Sequence, residues 1–99
     1  MITEIAYITI DPINAAKFEA AVAEASAVLR QAKGCRSMAL ERVIEDPSSY
    51  NLRVQWDTVD DHMTGFRESA GFARWRELAG PFFVQTPMVE HTDSVGTFF

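Results

Sequence analysis

The clearest periodicity in this chain lies between Tyr50 and Asp57, where apolar and polar side chains alternate. A period of two predicts a β-strand with Tyr50, Leu52, Val54 and Trp56 on one face and polar residues on the other. Three further strands are predicted. The first is Ile2–Ile10, which is rich in Ile, Thr and Tyr. The second is the alternating segment Cys35–Ile44, and the last runs from Pro87 to at least His91.

A helical spacing of apolar residues replaces this alternation between Asn14 and Lys33. The resulting apolar stripe consists of Phe18, Ala21, Val22, Ala25, Val28, Leu29 and Ala32. Gly34 is predicted to end this helix.

Two shorter helices are predicted between the third and last strands. Thr58, with Asp61 three residues later, resembles a capping box for a helix that carries His62 and Phe66. Ser69 is predicted to cap a second helix, which ends at Gly80-Pro81.

The order strand, helix, strand, strand, helix pair, strand predicts an α+β, ferredoxin-like split βαβ fold in one domain, residues 1–99. Helices cover one face of its four-stranded antiparallel sheet and leave the other open. Hydrophobic residues make up 47% of the chain and aromatic residues 11%. Because a chain of 99 residues buries that much apolar surface with difficulty, we expect two sheets to stack in a homodimer.

Charge and composition exclude several classes of function. A net charge of −5 argues against nucleic-acid binding, and no apolar run is long enough for a membrane span. Cys35 is the only cysteine, and we identify no signal peptide at the N-terminus. These features predict a soluble, cytoplasmic protein that binds neither nucleic acid nor membrane.

The two histidines are the first candidates for chemistry, and they look isolated from each other and from acidic partners. No metal site is therefore expected. His62 shares a helix face with Phe66 and has two interpretations: a half-buried histidine at the rim of the core, or a proton acceptor in a pocket. We interpret His91, on the last strand, as structural.

The aromatic residues suggest a pocket that suits a flat aromatic ligand. They are Trp56, Phe66, Phe72, Trp75, Phe82 and Phe83. Arg76, next to Trp75, is predicted either to orient an anionic oxygen of that ligand or to face solvent.

The run from Tyr50 to Trp75 resembles the antibiotic biosynthesis monooxygenase family. The residues that carry this resemblance are Tyr50 to Trp56, His62, Phe66, Arg67, Ser69, Phe72 and Trp75, supported by Gly34-Cys35, Glu45-Asp46-Pro47 and Glu90-His91. The resemblance implies a dimeric α+β barrel with one pocket per subunit, between helices and sheet.

Two branches of that family require particular residues in the pocket. Heme-degrading members need Asn, Trp and His at three positions where this chain has Ala6, Phe66 and Arg76, so no heme oxygenation is expected. Cofactor-free members that convert phenols to quinones use an Asn, a Trp, a Tyr and an Arg. In this chain Trp56 and Arg76 match the Trp and the Arg. His62 replaces the Tyr and Leu52 replaces the Asn. We count Leu52 as a pocket residue.

These observations favour a cofactor-free monooxygenase acting on a small aromatic phenol or quinol. In this hypothesis His62 removes the proton, Trp56 and Arg76 complete the catalytic set, and Arg76 holds the developing oxyanion. Two alternatives remain open at this point: an isomerase or other small-carbonyl enzyme with His62 as its base, and a non-catalytic small-molecule binding module.

Overall fold

A computed structural model describes residues 1–99. The strands and longer helices, in chain order, are β1 (Ile2–Thr9), α1 (Ala15–Arg30), β2 (Cys35–Arg42), β3 (Ser49–Trp56), α2 (Ala70–Ala79) and β4 (Met88–Asp93). Two 3-10 turns, Pro12–Asn14 and Gly80–Phe82, and a π-helical segment, Asp61–Phe66, complete the regular structure.

The four strands form one antiparallel sheet in the order β2-β3-β1-β4. This arrangement confirms the predicted α+β ferredoxin-like fold. In β1, Ala6 and Ile8 point toward the helices and are buried, together with Leu52, Val54 and Trp56 of β3. Since β1 pairs with both β3 and β4, its inward side chains lie at the centre of the helix-covered face.

Helix α1 covers the sheet with the predicted apolar stripe, from which Phe18, Val22, Ala25 and Leu29 are buried. The helix ends at Arg30, three residues earlier than predicted, because the chain turns toward Gly34, which has a φ of 80°. Glycine adopts this conformation without strain. A Cβ at this position would also collide with the Asp61 carboxylate.

The segment after β3 is π-helical rather than α-helical, which the sequence did not predict. Its wider turn is closed by the Arg67 amide, which donates to the His62 carbonyl at 3.1 Å. The Asp61 amide donates to Thr58 Oγ1 at 3.0 Å, so the predicted cap is confirmed. The predicted cap of α2 is also confirmed, since Ser69 Oγ accepts from the Phe72 amide. Single-turn π-helices occur frequently at functional sites.

The face of the sheet opposite the helices carries hydrogen-bonded polar pairs. Tyr7 donates to Glu90 at 2.6 Å, and Arg53 on β3 pairs with Glu41 on β2 at 2.7 Å. Ile5 is nevertheless buried on this face, between Arg53 and Glu90 on the neighbouring strands. None of the helices is long and apolar enough to span a membrane.

Candidate functional site

A cavity of about 1070 Å³ opens between the sheet, helix α2 and the segment that follows α2. Its floor is formed by inward-facing residues of β1 and β3, among them Ala6, Ile8 and Leu52. Aromatic side chains form much of its wall: Phe66, Phe72, Trp75 and Phe83. Apolar residues make up about half of the lining, and four charged residues belong to the rest: Glu4, Arg67, Arg76 and Glu77.

One such group is Glu4, which occupies an inward position of β1 between Ile2 and Ala6 and is only 7% exposed. The indole Nε1–H of Trp56 donates a hydrogen bond to Glu4 Oε1 at 3.0 Å. Trp56 itself is completely buried. A carboxylate is thus held against the core by an indole that can only donate.

His62 lies next to this carboxylate and uses both of its ring nitrogens. Its Nε2 is 3.2 Å from Glu4 Oε1, and its Nδ1 is 2.9 Å from Nε2 of His91. The imidazole also stacks on Trp56, with ring centres 5.1 Å apart and planes inclined by 23°. Glu4, His62 and His91 therefore form a continuous row of polar contacts, in which the two imidazoles are hydrogen-bonded and His62 lies against the Glu4 carboxylate.

Burial disfavours the charged forms of Glu4, His62 and His91. Burial, followed by the nearby His91 and Arg67, lowers the pKa of His62 to about 4. Burial raises the pKa of Glu4, while the Trp56 hydrogen bond and the Arg67 charge oppose that rise. The pKa of His91 is lowered by burial and by Arg67. Both imidazoles are consequently neutral at pH 7.

Two arginines bring positive charge to the cavity. Arg67 and Arg76 both line it, and their guanidinium carbons lie 5.8 Å and 5.9 Å from the ring centre of Phe72. Such distances fit cation–π contacts. Both side chains are exposed enough to reach an anionic group on a bound molecule.

Most of the residues predicted from the sequence to form a site surround this cavity. Those that line it are Leu52, His62, Phe66, Phe72, Trp75, Arg76 and Phe83. Trp56 and Phe82 do not line it. Trp56 lies behind Glu4 and His62 in the core, and Phe82 packs against Phe18 with ring centres 6.0 Å apart.

The prediction that the two histidines are isolated is wrong, since they are hydrogen-bonded to each other and His62 Nε2 lies 3.2 Å from Glu4 Oε1. The sequence contained a signal for Glu4, which is an acidic residue on the apolar face of β1. Pairing of β1 with β4 places His91 directly opposite Glu4. No group of three or more His, Cys, Asp or Glu side chains is arranged to hold a metal ion.

Known proteins resemble this chain in sequence or in structure. The "Antibiotic biosynthesis monooxygenase" family profile matches residues 1–78. A candidate antibiotic biosynthesis monooxygenase from Bordetella bronchiseptica, known from its crystal structure, is 48% identical, with a TM-score of 0.93 over 95% of this chain and 96% of its own. The uncharacterized protein YczJ of Bacillus subtilis is 33% identical over 96% of this chain and 100% of its own length.

A more distant structure shows the same fold. SnoaB, a cofactor-independent oxygenase from Streptomyces nogalater, is 19% identical, with a TM-score of 0.78 over 97% of this chain and 94% of its own. The family profile covers well over half of the chain, and two relatives exceed 30% identity over nearly their full lengths. The chain therefore belongs to the antibiotic biosynthesis monooxygenase family.

Proposed function

We propose that this protein is a cofactor-free monooxygenase that oxidises an electron-rich phenol or quinol, of the fused-ring kind found in polyketides, inside the cavity. Family membership supports monooxygenase chemistry. The fold shared with a cofactor-independent oxygenase is compatible with a reaction that uses only substrate and O₂. Fold alone does not define a reaction, so the proposal depends on the site.

The observation that carries the proposal is a buried carboxylate–imidazole pair in the wall of an aromatic cavity. Glu4 and His62 both line the cavity and are 7% and 3% exposed. A phenol becomes a far better electron donor to O₂ when it loses its proton. A proton acceptor beside a stacked aromatic ring is therefore the group that such a reaction requires.

The size of the cavity favours an aromatic substrate over a small carbonyl compound. Pockets for drug-sized ligands typically measure about 300–1,000 Å³, and this one reaches about 1070 Å³. A two- or three-ring aromatic molecule would contact its walls on several sides. A small aldehyde or ketone would leave most of it filled with water.

The arginines provide the complementary charge. A phenolate, and the peroxide anion formed when O₂ adds to the ring, both carry negative charge on oxygen. Arg67 and Arg76, at the wall of the cavity, would stabilise that charge as it develops. No external reductant is needed, because the substrate itself supplies all four electrons that reduce O₂: phenol plus O₂ gives quinone plus water.

The proposal is tested by following O₂ in an oxygen electrode with 1,5-dihydroxynaphthalene as the probe, in buffer that contains a chelator and no flavin. We expect protein-dependent O₂ uptake with formation of 5-hydroxy-1,4-naphthoquinone. Uptake that requires added metal or flavin would contradict the proposal. Binding of the probe without uptake would instead indicate a binding module, and anaerobic exchange of carbonyl α-protons with solvent would indicate an isomerase.

A further inference from the structure

We propose that the catalytic base of this reaction is the Glu4 carboxylate, and that His62, the base predicted from the sequence, is a positioning residue that acts through Glu4. This inference rests on the proposed function and identifies its proton acceptor. It comes from the polar contacts around the two side chains, which leave one oxygen of Glu4 free to accept a proton and no lone pair of neutral His62 free to do so.

His62 has no free lone pair. Its Nε2 faces Glu4 Oε1 at 3.2 Å and its Nδ1 faces His91 Nε2 at 2.9 Å. One face of its ring is covered by Trp56. With a hydrogen on Nε2 directed at the Glu4 carboxylate and the Nδ1 lone pair directed at His91, the neutral imidazole has no lone pair left for a molecule in the cavity.

Glu4, in contrast, has one oxygen occupied and one free. Oε1 contacts both the indole of Trp56 and the imidazole of His62. Every fully buried polar side-chain atom in the protein has a hydrogen-bond partner. Oε2 has none, so it must keep accessible surface, and Glu4 is part of the cavity wall. Its lone pairs are available to a substrate hydroxyl.

The donors around Glu4 Oε1 define the protonation states of Glu4, His62 and His91. Trp56 can only donate, so Oε1 accepts from it. His62 Nε2, 3.2 Å from the same oxygen, carries a hydrogen, because a lone pair there would be repelled by the carboxylate. Neutral His62 then has its lone pair on Nδ1, which accepts from His91 Nε2–H. His91 thus selects the tautomer of His62 that supports the Glu4 carboxylate.

In the proposed step the substrate O–H bond breaks, its proton binds Glu4 Oε2, and the electron pair remains on the phenolate oxygen. O₂ then adds to the ring carbon para to that oxygen. The resulting peroxide anion takes the proton back from Glu4. Cleavage of the O–O bond with loss of the hydrogen on that carbon releases water and leaves the quinone, so all atoms and electrons balance.

Two conservative variants separate the two side chains. Glu4→Gln keeps an oxygen that accepts from Trp56 and His62 but lacks a basic carboxylate. His62→Gln keeps an N–H that can reach Glu4 but lacks the imidazole. With 1,5-dihydroxynaphthalene and O₂, we expect Glu4→Gln to lower turnover by about 10²–10⁴-fold, and we expect His62→Gln to remain within about tenfold of the wild type.

The pH profile provides a readout that a structural defect would not produce. Glu4 faces His62, His91, Arg67 and the Cys35 thiol, whose pKa Glu4 raises. Because the base must be ionised, activity should fall at acidic pH in the wild type and in His62→Gln. In His62→Leu, which removes the donor to Oε1, this fall should occur at higher pH, since the carboxylate is less stabilised.

The inference is wrong if His62→Gln loses as much activity as Glu4→Gln, or if Glu4→Gln remains active. Imidazole ¹⁵N chemical shifts test the arrangement even without turnover. We expect His62 to be protonated at Nε2 and unprotonated at Nδ1, and a proton on Nδ1 would overturn the inference. A wild-type protein that consumes no O₂ would contradict the proposed function, whereas the ¹⁵N shifts would still decide the role assigned to Glu4.

Discussion

His62 stacks on Trp56, and this contact holds the imidazole between Glu4 and His91. The two ring planes are inclined by only 23°. Trp56 therefore supports the site twice, as a surface for the imidazole and as a hydrogen-bond donor to Glu4 Oε1. It does so from outside the cavity, so it can position both side chains without touching a ligand.

Replacing Trp56 with Phe should separate these two functions. Trp56→Phe keeps an aromatic surface but removes the indole N–H, so the pKa of Glu4 should rise further. The ¹³C shift of its carboxyl group during a pH titration measures this change. Trp56→Ala should lower the free energy of unfolding by about 3–5 kcal/mol, because it also opens a cavity in the core.

The matched control for Trp56→Ala is Gln55→Ala, at the neighbouring position on the opposite face of β3. Its side chain bonds only to Ser37 on that face. Equal losses of stability in the two variants, measured by chemical denaturation, would show that the assignment of the two faces is wrong.

Protein stability should decrease between pH 7 and pH 5 because of His62. Its pKa is about 4 in the folded protein and 6.5 in the unfolded chain, so the unfolded chain takes up the proton first as the pH falls. The stability that the neutral imidazole contributes is fully present above its unfolded pKa and disappears as the pH falls through the folded pKa. Between pH 7 and pH 5 this amounts to about 2 kcal/mol.

Glu4 has the opposite effect on the pH dependence of stability. Because its pKa is raised in the folded protein, the folded protein takes up that proton before the unfolded chain does as the pH falls. The isolated contribution of His62 is obtained by comparing the wild type with His62→Gln in urea denaturation at both pH values. His62→Gln should show a smaller pH dependence. An unchanged pH dependence would mean that the imidazole is not buried in its neutral form.

The fold was predictable from sequence because its signals are local. The alternation in β3 and the apolar stripe of α1 depend on neighbouring residues and were both correct. The π-helical turn at Asp61–Phe66 was missed, because an apolar pair four residues apart fits an α-helix equally well. The early end of α1 depends on the turn at Gly34, where the Asp57 amide from the end of β3 donates to the Gly34 carbonyl.

The site was only partly predictable because its central contacts are not local. Glu4 and His91 meet through the pairing of the first and last strands, and Trp56 is 52 positions away from Glu4. Aromatic residues of α2 were placed at the cavity because they belong to one amphipathic helix. The sequence could not show that both nitrogens of His62 are occupied, since that depends on three elements at once.

Arg67 should control the charge states of the site. Its positive charge lowers the pKa of Glu4, His62 and His91. Arg67→Gln should therefore raise all three values, which NMR titrations of the side chains can measure. Arg36→Gln is the matched control, because Arg36 is paired with Asp57 at the protein surface and neither residue lines the cavity. Equal shifts in both variants would contradict a specific role for Arg67.

The homodimer remains a proposal, which we base on the sheet face that no helix covers. If two copies stack through this face, Ala39→Arg should separate them, since Ala39 lies on this face beside Arg53 and the substitution would force a long charged side chain into the interface. Ala20→Arg, on exposed α1, is the control. Sedimentation at low micromolar concentration should show a dimer for the wild type and the control. A stable wild-type monomer would contradict an obligate interface of about 2,000 Å² or more.

The most direct test of the account is whether oxygen from O₂ enters an aromatic molecule inside this cavity. The measurement is mass spectrometry of the quinone formed from 1,5-dihydroxynaphthalene under ¹⁸O₂, for the wild type, Ala73→Trp and Ala20→Trp. Ala73 lines the cavity and Ala20 does not, while both are exposed helix positions. We predict one ¹⁸O atom per quinone for the wild type and Ala20→Trp, and loss of product for Ala73→Trp. Unlabelled quinone, or equal labelled product from Ala73→Trp, would contradict the account.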